Sequence, residues 1–192
     1  TYASAEILFT RGSRTAAAES FEKYLKQYPD GARRLDANYY LGLIYIDSNQ
    51  NRKALDCLKT VTANENSRFY LEALTRVAPL AYEMADYRDA LDAYAALAAR
   101  SGSAQQTASS LLGAVRSAFA SGDHAAVVKY ADKALESRIE ENERAEVRYD
   151  KAKSLQSLDR QDEAQKEFTT LMADMRSAYG AESSYIVSRM LF

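Results

Sequence analysis

The 192-residue chain has no tryptophan, one histidine (His124), one cysteine (Cys57), two prolines and seven glycines. So few glycines and prolines cannot supply the turns of an all-β protein of this length. A single cysteine excludes an intramolecular disulfide and fits reducing and oxidising compartments alike. A single histidine leaves most His-based metal sites, and a His-assisted catalytic triad, without their residues. Neither sign of charge dominates: 25 basic and 27 acidic residues alternate along the chain, for a net charge of −2. There is no basic stripe of the kind that holds nucleic acid. No apolar run approaches the length of a membrane span, and no charged-then-apolar leader opens the sequence. The Gly-rich phosphate loop, the Gly-x-Ser-x-Gly elbow and the His-Glu-x-x-His pair are also missing.

What is present is a helical composition. Ala, Leu, Glu, Lys, Arg and Gln dominate, and a hydrophobic fraction of 47% suffices for a continuous core. Five alanines, Ala17, Ala54, Ala90, Ala126 and Ala164, recur at intervals of 37, 36, 36 and 38 residues. A large apolar side chain follows each by four residues: Phe21, Leu58, Tyr94, Tyr130 and Phe168. A period of this length marks an α-solenoid, built of helix–turn–helix units that contact only their neighbours. The second segment is the clearest. Leu41, Gly42 and Tyr45 on a first helix precede the turn Asp47–Asn51, and Ala54 and Leu58 follow on a second. A glycine inside a helix costs roughly 1 kcal/mol against alanine, so Gly42 implies close approach of a partner helix, with Ala54 as the small residue facing it. Tyr45 and Leu58 then wedge between adjacent units. In the fourth segment Val127 and Ala134 fit nearly as well as Ala126 and Tyr130, so its register is open by one residue.

Leu41-Gly42-x-x-Tyr45 followed by Ala54 and Leu58 resembles the tetratricopeptide repeat, with Asn38 where that pattern often has tryptophan. The resemblance extends over essentially the whole chain. It implies an all-α, right-handed α-solenoid of about 11 helices, with units near 1–31, 32–66, 67–102, 103–140 and 141–177 and a partial sixth at 178–192. The phrase from Phe21 through Pro29-Asp-Gly31 to Gly42 is similar to repeats of bacterial cell-envelope proteins, namely the periplasmic Tol–Pal coordinator and outer-membrane assembly lipoproteins. That similarity favours the periplasm or envelope over the cytoplasm. The sixth unit starts without a second helix, which leads to the expectation of a segment cut from a longer array. Its Met190-Leu191-Phe192 end would invite self-association.

Catalysis is not expected. His124 reads as a solvated first-turn residue and Cys57 as a half-buried small hydrophobe. Glu140-Glu141 and Asp162-Glu163 sit at helix starts, where negative charge opposes the dipole. No cofactor or metal is implied. Pro79 falls inside a first helix and either kinks it near Thr75–Ala78 or breaks it, which would widen any groove there.

Binding is what the pattern implies. The 3.6-residue period places a second set of first-helix positions opposite the helix-pairing face. In tetratricopeptide arrays that face lines the concave groove. It holds Tyr39, Leu43, Arg76, Tyr82, Arg116, Phe119, Tyr149 and Lys153, together with Asp36, Tyr40, Ile46, Glu72, Glu83 and Glu146. Tyrosine and arginine are favoured at protein interfaces. The two-carboxylate clamp of chaperone-binding repeats is absent, since Tyr39 with Leu43 and Thr75 with Pro79 stand at its positions. The expectation is a scaffold for a protein or peptide, with no nucleic acid and no membrane insertion. A structural spacer or oligomerisation segment, and a glycan-binding helical lipoprotein, are the alternatives.

Overall fold

Eleven α-helices, and no strands, occupy the described residues, 1–173 and 178–191 of a computed structural model. In order they are α1 (Tyr2–Thr10), α2 (Arg14–Gln27), α3 (Arg34–Asp47), α4 (Asn51–Thr62), α5 (Tyr70–Glu83), α6 (Tyr87–Arg100), α7 (Ala104–Ser121), α8 (His124–Glu136), α9 (Glu141–Ser157), α10 (Gln161–Met172) and α11 (Ala178–Met190). Backbone contacts divide them into two compact units, residues 1–81 and 82–192, with the division falling inside α5. The all-α repeat expected from the sequence is the fold observed.

Each turn inside a helix pair is built alike. Gly12, Asn49, Ala85, Gly122 and Asp159 all have positive φ, between 58° and 81°. After Gly12, Asn49, Gly122 and Asp159, the next residue's N–H reaches back to the last turn of the first helix: Ser13 to Leu8, Gln50 to Tyr45, Asp123 to Ala118, Arg160 to Leu155. This is the Schellman stop, which caps orphan carbonyls and turns the chain sharply. Glycine, asparagine and aspartate tolerate the left-handed region; Ala85 occupies it against its preference.

Five residues after each turn residue, an N–H closes the first bond of the second helix: Ala17 to Ser13, Ala54 to Gln50, Ala90 to Asp86, Val127 to Asp123, Ala164 to Arg160. The fourth member is Val127, not Ala126, and the true intervals are 37, 36, 37 and 37. Val127 and Ala131 are buried, whereas Ala126 and Tyr130 are only half-buried at the margin of the same cluster. The reading of Ala126 and Tyr130 as the unit's pair is therefore corrected by one residue. The reason is local: Asp123 caps α8 and accepts from the Ala126 N–H, which turns Ala126 to the helix flank. Twelve residues before these positions lie Ala5, Gly42, Ala78, Val115 and Ala152, of which the four with side chains are fully buried.

Two further expectations change. A Cβ at Gly42 would come within 2.5 Å of Leu58 Cγ, so the glycine makes room for Leu58 rather than facing Ala54. Gly113 does the same for the Tyr94 ring, which presses on α7 with its nearest atoms 2.6 Å from a built Cβ. Helix α5 runs through Pro79 from Tyr70 to Glu83 without a restart, with the proline exposed. Tyr45 does reach across to the preceding pair, donating its hydroxyl to Glu22 on α2.

Within residues 1–81 the core gathers Ala17, Phe21, Leu41, Leu55, Leu58 and Val61. Within residues 82–192 there are two clusters. One joins Leu91, Leu111, Leu112, Val115, Val127, Ala131 and Val147. The other joins Val128, Ala152, Leu155, Ala164, Phe168, Leu171 and Val187.

Candidate functional site: the first-helix faces

In residues 1–81 the first-helix face is an aromatic layer. Tyr39 lies flat on Phe69, with ring centroids 4.1 Å apart and planes 9° from parallel. Tyr40 meets both rings edge-on and stacks on Phe21 at 5.6 Å. Arg68 lies over Phe69 at 4.5 Å, while its Nη2 contacts Asp36 Oδ2 at 2.8 Å. Arg33 supplies a second contact to that carboxylate at 3.2 Å, so buried Asp36 is doubly paired. Burial raises the Tyr39 hydroxyl above its usual range, Glu72 adds to this and Arg76 opposes it, which sets those two charges beside the ring. Of the predicted residues, Tyr39 is half packing and half wall, Leu43 is half-buried and Arg76 is exposed.

In residues 82–192 the face is polar at its centre. Arg116 on α7 makes a forked pair with Glu146 on α9, Nε and Nη2 donating to the two carboxylate oxygens at 2.6 and 2.7 Å. Tyr82 and Phe119 are 36% and 37% exposed, among several large apolar side chains that reach solvent. Tyr149 packs against Phe168 and Tyr179 at 6.1 and 5.0 Å between centroids and donates its hydroxyl to Glu182 on α11. Lys153 is half-buried on the same helix. Glu146, Glu143 and Tyr82 each favour the charged form of Arg116, which sets Tyr82 in the neighbourhood of that guanidinium.

Asp150 went unnoticed in the sequence. It stands one helical turn after Glu146, is only 9% exposed, and makes no hydrogen bond to any described residue. Burial pushes its carboxyl up to about 7, the neighbouring Glu146 adds to this and Arg116 opposes it. The only signal available was its helical offset, shared with the other face positions. The unfolded carboxyl holds its proton only to about pH 4. The folded state therefore binds an extra proton between about pH 4 and 7, and stability falls as pH rises through that window. Asp150→Asn is expected to stabilise the chain at pH 8 by on the order of 1–3 kcal/mol, because it removes a charge that burial disfavours. Urea melts should show that gain shrinking toward pH 4; a loss of stability at pH 8 would mean the carboxylate is paired.

The other side chains singled out in the sequence have the following surroundings. Cys57 is half-buried, and burial pushes its thiol up to about 11, away from the reactive thiolate. His124 is not simply solvated: its Nδ1 lies 3.2 Å from the Oγ of buried Ser154, tying α8 to α9. Glu143 accepts from the Glu140 N–H at the start of α9, and Glu163 pairs with Arg160. Among the described residues no cluster of His, Cys, Asp and Glu could hold a metal ion, and no helix is long and apolar enough to cross a membrane. Phe192, the last residue of the predicted sticky end, lies outside the described residues; Leu191 beside it is exposed.

The Tetratricopeptide repeat family model matches residues 2–31, the first helix pair. No curated protein matches the sequence. Among solved structures, a tetratricopeptide repeat protein from Parabacteroides merdae is similar with a TM-score of 0.51 at 16% identity, over 96% of this chain and 71% of that one. A structure of the MamA protein is similar at 0.50 and 17% identity, over 96% and 90%. A MamA RS-1 double mutant reaches 0.50 at 15% identity, over 88% and 89%. At these identities the likeness establishes the fold: repeated helix pairs of the tetratricopeptide type, an architecture that serves in general as a scaffold for protein–protein interaction.

Proposed function

We propose that this chain of tetratricopeptide-type helix pairs is a scaffold that captures a polypeptide segment on its first-helix faces. The observation that carries the reading is the exposure of Tyr82 and Phe119 beside the Arg116–Glu146 pair, while the second helices turn their large side chains inward. Aromatic and arginine side chains grouped around a polar centre are what interfaces favour, since they bury large area and still form hydrogen bonds. The aromatic layer of Tyr39 and Phe69 offers a second such surface within residues 1–81.

One observation favours a second reading, a segment that associates with itself through its C-terminal helix: Tyr185 and Leu191 on and beside α11 are 62% and 64% exposed. A single experiment separates the two. Immobilised wild-type chain, Phe119→Ala and Tyr39→Ala are exposed to lysate of the cells that make the protein, and the molar mass of each is followed by light scattering. Capture of a protein that falls at least fivefold in Phe119→Ala, from a monomeric sample, supports the scaffold. Unchanged capture profiles in both variants would sink the face assignment, and a concentration-dependent dimer would favour the second reading.

A further inference from the structure

We propose that the outer face of α11 pairs two copies of this chain, antiparallel, with Tyr185 at the centre and Glu182 of each copy against Arg189 of the other. The inference rests on the self-association reading above and specifies its surface and register.

The repeat sets this face apart from its counterparts. In α9, Val147 shares a cluster with Val127 and Ala131 of α8, and Ser154, seven residues on, meets His124 of α8. In α11, Gly180 and Val187 are buried at the same spacing, and Val187 joins Ala164, Phe168 and Leu171 of α10. The two helices are therefore related by a shift of 33 residues, which makes Tyr185 the counterpart of Ala152. In the five earlier first helices that position holds Ala5, Gly42, Ala78, Val115 and Ala152, all buried. In α11 it holds a tyrosine that is 62% exposed. A helix laid on α11 as α10 lies on α9 would have to displace that ring, so the face suits a different occupant.

A second copy of α11 fits in shape and in charge. By the 3.6-residue period Ala178, Ala181, Glu182, Tyr185, Ser188 and Arg189 lie on one face, and all six are exposed. Tyr185 is the large apolar group there, flanked by alanines and a serine, so two such faces approach closely with their rings packed together. Glu182 precedes Tyr185 by three residues and Arg189 follows it by four, its guanidinium 5.9 Å from the ring centroid. A two-fold axis at Tyr185 brings Glu182 of one copy within one residue's rise, about 1.5 Å along the helix, of Arg189 of the other. Symmetry makes that contact twice. Parallel pairing would instead oppose Glu182 to Glu182 and Arg189 to Arg189. The Tyr149 hydroxyl, donated to Glu182, already holds that carboxylate in place. A contact between two single helices is small for an interface, so the dissociation constant is expected on the order of 100 µM. The pairing uses neither Phe119 nor Tyr39.

The test is sedimentation velocity of the full chain, over concentrations about tenfold to either side of that constant. Wild type should pass from monomer to dimer. Glu182→Arg and Arg189→Glu, each alone, should weaken the dimer at least tenfold, because each sets like charges together twice. Mixed in equal amounts, the two variants should recover the dimer to within about threefold of wild type, since every opposed pair again has opposite signs. Tyr185→Ser, which removes no hydrogen bond made by the described residues, should also weaken it at least tenfold. Circular dichroism checks the folding of each variant; should Glu182→Arg unfold once the Tyr149 contact is lost, Arg189→Glu and Tyr185→Ser carry the test. A wild-type chain that stays monomeric overturns both this pairing and the self-association reading. A dimer indifferent to Tyr185→Ser overturns α11 as its surface. A dimer that needs Tyr185 but is indifferent to Arg189→Glu, or is not recovered in the mixture, overturns the antiparallel register and leaves self-association through α11 standing.

Discussion

Val127→Asp is expected to cost about 4–5 kcal/mol or more and to leave the chain largely unfolded, whereas Ala126→Asp, one residue earlier, is expected to stay within about 0.5 kcal/mol of wild type. Val127 is fully buried among Leu111, Val115, Ala131 and Val147, where a carboxylate finds neither water nor a cation. Ala126 occupies the first turn of α8, half-exposed, where an added negative charge is favourable against the helix dipole. Urea denaturation of the two variants followed by circular dichroism checks the difference. The opposite order would return the register of this unit to Ala126 and displace Arg116 and Phe119 from their assigned positions on the face.

Phe168→Ala carries the next largest effect, a loss of about 3–5 kcal/mol. The ring is fully buried between Leu155, Ala164, Leu171 and Val187, and Tyr149 meets it edge-on at 6.1 Å. Its removal leaves a cavity that α9, α10 and α11, each anchored by other contacts, can fill only in part. Because Tyr149 leans on this ring while holding Glu182, the substitution should also loosen the polar face above it. Calorimetry should show the melting transition lowered by on the order of 10 °C. A decrease of one or two degrees would mean that α10 does not pack on α9 and α11 in this way.

The repeat was legible because packing imposes it chemically. A small residue and, four positions on, a large one let two helices approach closely, and Ala17 with Phe21, Ala54 with Leu58 and Ala164 with Phe168 display this openly. The fourth unit hid its register, since adjacent alanines at 125 and 126 mimic the small position while Val127 fills it. A second marker in the sequence could have resolved this. Gly12, Asn49, Gly122 and Asp159 are residues that tolerate positive φ, and they sit five positions before the buried site in each unit. Ala85 breaks that series and conceals it. Helical offset alone was enough to place Tyr82 and Phe119 on an exposed face, because exposure follows from period and neighbours along one helix. Phe69 stacking on Tyr39, His124 reaching Ser154, and the unmatched Asp150 were not legible. Each depends on which side chains of separate elements meet, and the partners of each of the first two stand thirty positions apart.

Site-specific photo-crosslinking tests the claim that the first-helix face captures a polypeptide. A benzophenone side chain is placed at Phe119, on that face of α7, and in a second protein at Thr169, exposed on α10. Irradiation in lysate of the producing cells should yield a covalent adduct of defined mass from position 119 and none from position 169. Adducts from position 169 with none from position 119 would contradict it and move the binding surface to the second helices.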